Sequence, residues 1–244
     1  MGIPEISLVI PAYNEEKIIL DTINTALSFL RANFSDYELI IADDGSTDKT
    51  RALAEAVADV HLKVVSHFPN KGKGAAVRQG VLAAGGAIVV YTDADLAYGI
   101  NAVGELYKLI SQSGADAAIG SRKLHPEGYA DYPAIRLFAS RCFSFLTGLI
   151  AGFHYDTQCG LKAFSAQAAK KVFSLCETDS FAFDFEVMMI ANKLKLSVVQ
   201  LPAMIINHRE SKVNVIKDSI RMFADVFSIR RSVTSRLRGI KDGK

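Results

Sequence analysis

Ile6-Ser7-Leu8-Val9-Ile10-Pro11-Ala12, followed after a helical interval by Tyr37-Glu38-Leu39-Ile40-Ile41-Ala42-Asp43, is the stretch that decides the fold. Both runs are short, apolar and rich in β-branched residues, and polar residues close each of them, as in buried strands. Leu62–Ser66, Ala87–Thr92 and Ala115–Gly120 repeat the pattern, with amphipathic stretches filling the gaps. Strands and helices alternating in this way predict an α/β protein with a mostly parallel, doubly wound sheet. Ligands of such sheets bind outside the carboxyl ends of the strands, so chemistry is expected directly after each run.

Four of those ends are polar in succession: Pro11-Ala12-Tyr13-Asn14-Glu15-Glu16, Asp43-Asp44-Gly45-Ser46-Thr47-Asp48, Asn70-Lys71-Gly72-Lys73-Gly74 and Asp93-Ala94-Asp95. A single acid in such a place is commonly a helix cap, and Asp44 or Ser46 could cap a helix beginning near Thr47. Four in register point further. In extended backbone, residues two apart face the same way, so Asp93 and Asp95 are expected to converge on one hard divalent cation, Mg²⁺ or Mn²⁺, leaving coordination positions open for nucleotide phosphates. Lys71-Gly72-Lys73-Gly74 pairs cations with glycines that permit close backbone approach where a helix begins, a pattern suited to phosphate, although an exposed basic turn has the same composition. It has neither the spacing of a P-loop nor that of a dinucleotide-binding fingerprint.

Composition narrows the class. The 244 residues are half apolar and 22% charged, with no aliphatic run long enough to cross a bilayer, which predicts one globular unit. The amino terminus offers no basic and apolar signal-peptide pattern. Cys142, Cys159 and Cys176 have neither paired nor metal-ligating spacing, which suggests a reducing compartment. The net charge of +2 conceals an asymmetry: residues 1–208 hold 18 Lys and Arg against 22 Asp and Glu, whereas 209–244 hold 10 against 4. A basic tail of that kind suits an anionic surface, lipid headgroups or nucleic acid. Two amphipathic helices are predicted, one from Ile135 to Ile150 with Arg136 and Ser140 on its polar face, and one from Val213 to about Leu237 carrying Ile216, Ile220, Phe223 and Phe227.

Together the motifs Pro11-Ala12-Tyr13-Asn14-Glu15, Asp43-Asp44-Gly45-Ser46-Thr47-Asp48, Asp93-Ala94-Asp95-Leu96, Gly120-Ser121-Arg122 and Asp156-Thr157-Gln158-Cys159-Gly160-Leu161-Lys162 resemble those of family 2 glycosyltransferases of the GT-A fold, over nearly the whole chain. The Asp156 block followed by Phe183-Asp184-Phe185-Glu186 is similar to the dolichyl- and polyprenyl-phosphate sugar synthases. The resemblance implies a Rossmann-like sheet with a C-terminal amphipathic extension, arranged as a nucleotide-sugar half (1–125), an acceptor half (126–212) and a basic tail (213–244). It implies that Pro11, Ala12, Tyr13, Glu15, Asp43, Asp44, Lys73, Asp93 and Ala94 surround the nucleotide sugar, with Asp44 at the base- or ribose-contacting position. Asp93 and Asp95 would hold the metal and diphosphate. Arg122, Arg136, Ser140, Arg209 and Lys212 would bind the acceptor phosphate and the donor diphosphate, and Asp95, Arg122 and Arg136 would be the catalytic groups.

Mannose synthases of this kind commonly place a glutamine two positions after the metal triplet, where this chain has Ala97; Tyr91–Ala97 and Glu210-Ser211-Lys212-Val213 are closer to the glucose synthases. UDP-glucose is therefore the expected donor, GDP-mannose the second choice. A phosphate monoester acceptor is already an anion at neutral pH and needs no general base, only cations that hold it in line, so a single inverting displacement is expected, with Asp184 and Glu186 as supporting groups. The competing readings are transfer to a hydroxyl acceptor in glycan synthesis, sugar nucleotidyl transfer, and a nucleic-acid-binding module. Processive synthases with a Gln-x-x-Arg-Trp motif are excluded by the absence of tryptophan. Nucleotidyltransferases carry a glycine-rich, arginine-bearing loop that does not follow the first strand here, and no nucleic-acid-binding motif is present. The expected setting is the cytoplasmic membrane face, with peripheral attachment through the two amphipathic helices.

Overall fold

The computed structural model describes residues 2–129, 147–148, 150–153 and 155–207, and the backbone of a helix over 215–242 whose side chains are described from 225 to 238. Seven strands, β1 (Ile6–Ala12), β2 (Tyr37–Asp43), β3 (Leu62–Ser66), β4 (Ile88–Tyr91), β5 (Ala117–Ser121), β6 (Lys162–Ser165) and β7 (Val198–Pro202), form one sheet in the order β3-β2-β1-β4-β6-β5-β7. All neighbouring pairs are parallel except those of β6, which runs antiparallel to both β4 and β5. The mostly parallel α/β sheet anticipated from the strand runs is thus present, and β6 and β7 are additions to it. The helices are α1 (Ile19–Asn33), α2 (Thr50–Glu55), α3 (Lys73–Ala83), α4 (Asn101–Ser113), α5 (Ala166–Phe173), α6 (Phe183–Lys193) and α7 (Val215–Asp242).

Helices cover both faces of the sheet, so its central strands are buried on both sides and read as continuous apolar runs. Ile6, Leu8, Ile10, Leu39 and Ile41 pack with Ile19, Ile23 and Leu30 of α1 and Val103, Leu106 and Ile110 of α4. The alternate residues Val9, Ile40, Ala42 and Tyr91 pack on the other face with α3, α5 and α6. Each fully buried Leu or Ile side chain contributes about 1.5–3 kcal/mol, which is why this register resists slipping by one residue. The chain runs from β1 outward through β2 to β3 and then returns to place β4 on the other side of β1. That reversal opens a crevice at the carboxyl ends of β1 and β4.

Helix α7 adds to the second core. Val226, Ile229 and Val233 are buried there, a row offset around the helix from Phe227, which is 60% exposed. Arg230, Arg231 and Arg238 are exposed with it. Ile216, Ile220 and Phe223, and all of the predicted Ile135–Ile150 helix except positions 147, 148 and 150, lie outside the residues whose side chains are described.

Candidate active site

The ends of β1 and β2 are stitched together. Residues Ala12 and Asp43 are register partners, and the Asp44 N–H donates to Ala12 O at 2.9 Å. Beyond them Asn14 takes a left-handed backbone, φ 53°, and its side-chain oxygen accepts from the Thr47 N–H at 2.8 Å, while the Asn14 and Glu15 N–H groups donate to Ser46 Oγ and Thr50 Oγ1. Pro11 and Ala12 are buried beneath this turn and Tyr13 is 43% exposed at its surface. Six of the residues expected around a nucleotide, Pro11, Ala12, Tyr13, Glu15, Asp43 and Asp44, therefore share one rim.

The two acids of that rim do different things. Asp43 accepts from the Ser46 N–H and closes its own turn. Asp44 is buried, and its two oxygens accept from His67 Nε2 at 2.7 Å, Asn70 Nδ2 at 2.7 Å and the backbone N–H groups of Lys71 and Gly72 at 3.0 Å. It fixes the loop that leads into α3. This revises the reading of Lys71-Gly72-Lys73-Gly74 as a backbone cradle for phosphate: the Lys71 and Gly72 N–H groups face Asp44, and that of Gly74 donates to Asp179 O at 2.8 Å. The glycines answer to a neighbouring segment instead. A Cβ on Gly72 would lie 2.4 Å from Asp179 O, and one on Gly74 2.4 Å from Thr178 O. What the loop delivers to the crevice is a side chain, Lys73, the first residue of α3.

The Lys73 ammonium pairs with Asp93 Oδ1. Burial alone would push this ammonium down, but Asp93, Asp184 and Asp95 more than offset it and hold it above the ordinary lysine value. The Asp-Ala-Asp segment is a turn and not the extended segment expected: β4 ends at Tyr91, and the Leu96 N–H donates to Asp93 O at 3.0 Å, with Leu96 itself left-handed. Buried Ala94 is tied down by Thr22 Oγ1 donating to its carbonyl at 2.6 Å, and Asp95 Oδ1 accepts from the Ala97 N–H at 3.1 Å. Asp93 and Asp95 both remain half-buried. This donor set fits a divalent cation, since hard carboxylate oxygens at Asp93 and Asp95 already attract an ammonium, that of Lys73. A cavity of 390 Å³ adjoins Asp95 beside Asp21, Thr22 and Asn207. A larger one, 520 Å³ among Arg31, Asp59 and His61, opens at the amino ends of β2 and β3, the wrong end of the sheet for ligand binding.

Behind the acids stands a layer of buried ion pairs. Arg122 grips Asp156 bidentately, Nε to Oδ2 at 2.8 Å and Nη2 to Oδ1 at 2.7 Å. Burial pushes the Asp156 carboxyl up, but the guanidinium and backbone N–H of Arg122 outweigh that and hold it below the usual range. Lys162, fully buried on β6, donates to Thr157 O at 3.2 Å, Cys159 O at 2.6 Å and Asp184 Oδ1, which also accepts from Tyr91 OH at 2.8 Å. Both pairs hold the 156–160 loop, and that loop touches the acid directly: a Cβ on Gly160 would fall 2.2 Å from Asp93 Oδ2. Burial raises the Cys159 thiol to about 11, so it is an inert filler. Buried Glu186 accepts from the N–H groups of Glu177 and Thr178 and from Arg236 of α7.

Of the expected site residues, the structure gathers Pro11, Ala12, Tyr13, Glu15, Asp43, Asp44, Lys73, Asp93, Ala94, Asp95 and Arg122 at the carboxyl ends of β1, β2, β4 and β5. Arg136, Ser140, Arg209 and Lys212 lie outside the described residues. Lys162 and Gly160 were visible only as letters in a motif; a lone Lys inside the apolar run Leu161-Lys162-Ala163-Phe164 was the available signal that a buried partner exists.

Comparison with known proteins agrees with this arrangement. The model of the family described as glycosyl transferase family 2 matches residues 7–173. A dolichyl-phosphate beta-glucosyltransferase of Drosophila melanogaster is 33% identical, the match covering 92% of this chain and 74% of that protein. The enzyme of the same description from Saccharomyces cerevisiae is 32% identical with the same coverage. Among solved structures, glucosyl-3-phosphoglycerate synthase of Mycobacterium tuberculosis, in complex with Mn²⁺, UDP and glucosyl-3-phosphoglycerate, superimposes with a TM-score of 0.67 at 23% identity, over 93% of this chain and 80% of that one. Its likeness is one of fold. With the acid-lined crevice, the family match and the relatives in agreement, the chain belongs to glycosyl transferase family 2.

Proposed function

We propose that the protein transfers glucose from UDP-glucose to the phosphate of a dolichyl or polyprenyl phosphate, by a single displacement that inverts the anomeric centre. The observation that carries this reading is what the two acids nearest to a base role are doing. Asp184 and Glu186 are both buried and accept hydrogen bonds inside the core, from Lys162 and Tyr91 and from Arg236 and two backbone N–H groups respectively. A hydroxyl acceptor requires a base within hydrogen-bond reach, whereas a phosphate monoester arrives with its negative charge in place. That relatives about one-third identical are dolichyl-phosphate beta-glucosyltransferases supports the same acceptor.

In this proposal Pro11, Ala12, Tyr13, Glu15, Asp43 and Ala94 line the nucleotide, Asp44 holds the loop carrying Lys73, and Lys73 meets the diphosphate. Asp93 and Asp95 would hold Mg²⁺ or Mn²⁺, which when bound supplies positive charge against the departing diphosphate. Arg122, Arg136, Ser140, Arg209 and Lys212 would bind the acceptor phosphate, with Asp156 orienting Arg122. No helix among the described residues is long and apolar enough to cross a membrane. We place the enzyme peripherally on the cytoplasmic membrane face, with Phe227, Arg230, Arg231 and Arg238 of α7 turned to anionic lipid.

Radiolabelled sugar supplied as UDP-glucose and as GDP-mannose, side by side with polyprenyl phosphate and with or without Mn²⁺ or Mg²⁺, tests the donor. The expected result is metal-dependent transfer from UDP-glucose in excess of GDP-mannose; faster transfer from GDP-mannose, or no labelled lipid from either, overturns it.

A further inference from the structure

We infer that Lys73 is a stand-in cation for the metal site: its ammonium occupies Asp93 until a nucleotide diphosphate and a divalent ion arrive together, so that neither binds well without the other. The inference rests on the proposed reading of Asp93 and Asp95 as metal carboxylates.

The argument starts from the fixed base of the side chain. Lys73 begins α3 at a loop that cannot easily shift, because Asp44 holds the Lys71 and Gly72 N–H groups, Asp179 O holds that of Gly74, and both glycines are pressed against residues 178 and 179. From that base the ammonium reaches across to Asp93 Oδ1 and lies in the field of Asp95 and Asp184. On its other side Asp93 is packed against the 156–160 loop, its Oδ2 lying 2.2 Å from where a Cβ on Gly160 would stand. Asp184 is already neutralised by Lys162. Lys73 thus gives half-buried Asp93 a counter-charge when no metal is present.

A divalent ion approaching Asp93 alone meets that ammonium at close range, a repulsion that the half-buried surroundings screen poorly. A nucleotide diphosphate relieves it by offering the ammonium an anionic partner of its own. Lys73 then moves from carboxylate to diphosphate without leaving its place at the helix start, and Asp93 is released to the metal. Donor and metal binding are coupled through one side chain, and the coupling is reciprocal.

The test measures Mn²⁺ binding by calorimetry and by the loss of the free-ion electron-spin resonance signal, without and with UDP, in the wild type, Lys73→Gln and Lys73→Arg, each checked for its thermal transition. The wild type should bind Mn²⁺ weakly alone and much more tightly with UDP. Lys73→Gln should bind Mn²⁺ alone about tenfold more tightly than the wild type and lose most of the enhancement by UDP. Lys73→Arg, which keeps a cation on Asp93, should stay as weak as the wild type for Mn²⁺ alone. Unchanged or weaker Mn²⁺ binding by Lys73→Gln, or Mn²⁺ binding by Lys73→Arg tightened as in the Gln variant, overturns the inference. If wild-type protein binds no UDP with Mn²⁺, it is the proposed function that fails, and the Mn²⁺-only comparison of the variants still judges the role of Lys73.

Discussion

Adding one methyl group at Gly160 should damage catalysis far more than stability. The Cβ would stand 2.2 Å from Asp93 Oδ2 and 2.8 Å from its Cγ, where ordinary contact begins at 3.4 Å, so the carboxylate has to retreat by roughly 1 Å. The three nearest atoms all belong to the end of a side chain that is partly exposed, and Gly160 has no positive φ to forbid alanine. Gly160→Ala should therefore cost about 1 kcal/mol, a fall in Tm of about 2–4 °C for a chain of this length. The displaced carboxylate is the one proposed to hold the metal and the one that pairs with Lys73. A misplacement of that size in a reacting group is worth about 100-fold in rate. Transfer to polyprenyl phosphate, measured at saturating metal and again over a metal titration, should fall by about that factor with a raised metal requirement, while the circular dichroism spectrum and unfolding midpoint stay close to wild type. Wild-type turnover with an unshifted metal titration would refute the placement of Gly160 against a working acid; a collapse of the fold would refute the claim that the strain is local.

Three further outcomes follow from the buried charges. Lys162→Met should leave Asp184 without its cation and the 157 and 159 carbonyls without a donor, a loss of about 3–5 kcal/mol in urea unfolding, of which Lys162→Met with Asp184→Asn should recover a part. Arg236→Ala should strand Glu186 in the same way, costing about 3 kcal/mol and increasing hydrogen exchange in α7 and residues 175–178 before the sheet. The Asp156 carboxyl is depressed below its ordinary value of 3.8 in the folded state, so its contribution to stability is complete above that value and disappears as pH falls through the lower folded value. Urea midpoints taken from neutrality to about pH 3 should accordingly drop less steeply for Asp156→Asn than for wild type; parallel curves would count against the Arg122–Asp156 account.

Much of the scaffold was legible from pattern alone because β1, β2 and β4 are buried nearly along their whole length, and such apolar runs announce themselves. Strands β6 and β7 were not, for separate reasons. Lys162-Ala163-Phe164-Ser165 is four residues with a lysine at its head, and only the arrival of Asp184 from α6 explains why that lysine is inside. Val198–Pro202 is half-buried at the sheet edge, paired on one side by β5, and lacks a clean alternation. In the site, the acids could be found because strand ends are where ligands bind, but their partners could not. Lys73 meets Asp93, and Asp44 meets His67 and Asn70, through the packing of successive units and not through spacing along the chain. The glycines of the Lys71–Gly74 loop mark a close approach, but the group that approaches, the backbone of residues 178 and 179, is remote in sequence and has no signal in the loop itself.

The central claim is that the acceptor brings its own anion. Its most direct test is transfer of radiolabelled glucose from UDP-glucose, with Mn²⁺, to dolichyl phosphate and to dolichol of the same chain length in matched vesicles. The account predicts labelled lipid from the phosphate and none above background from the alcohol; transfer to the alcohol at a comparable rate would contradict it.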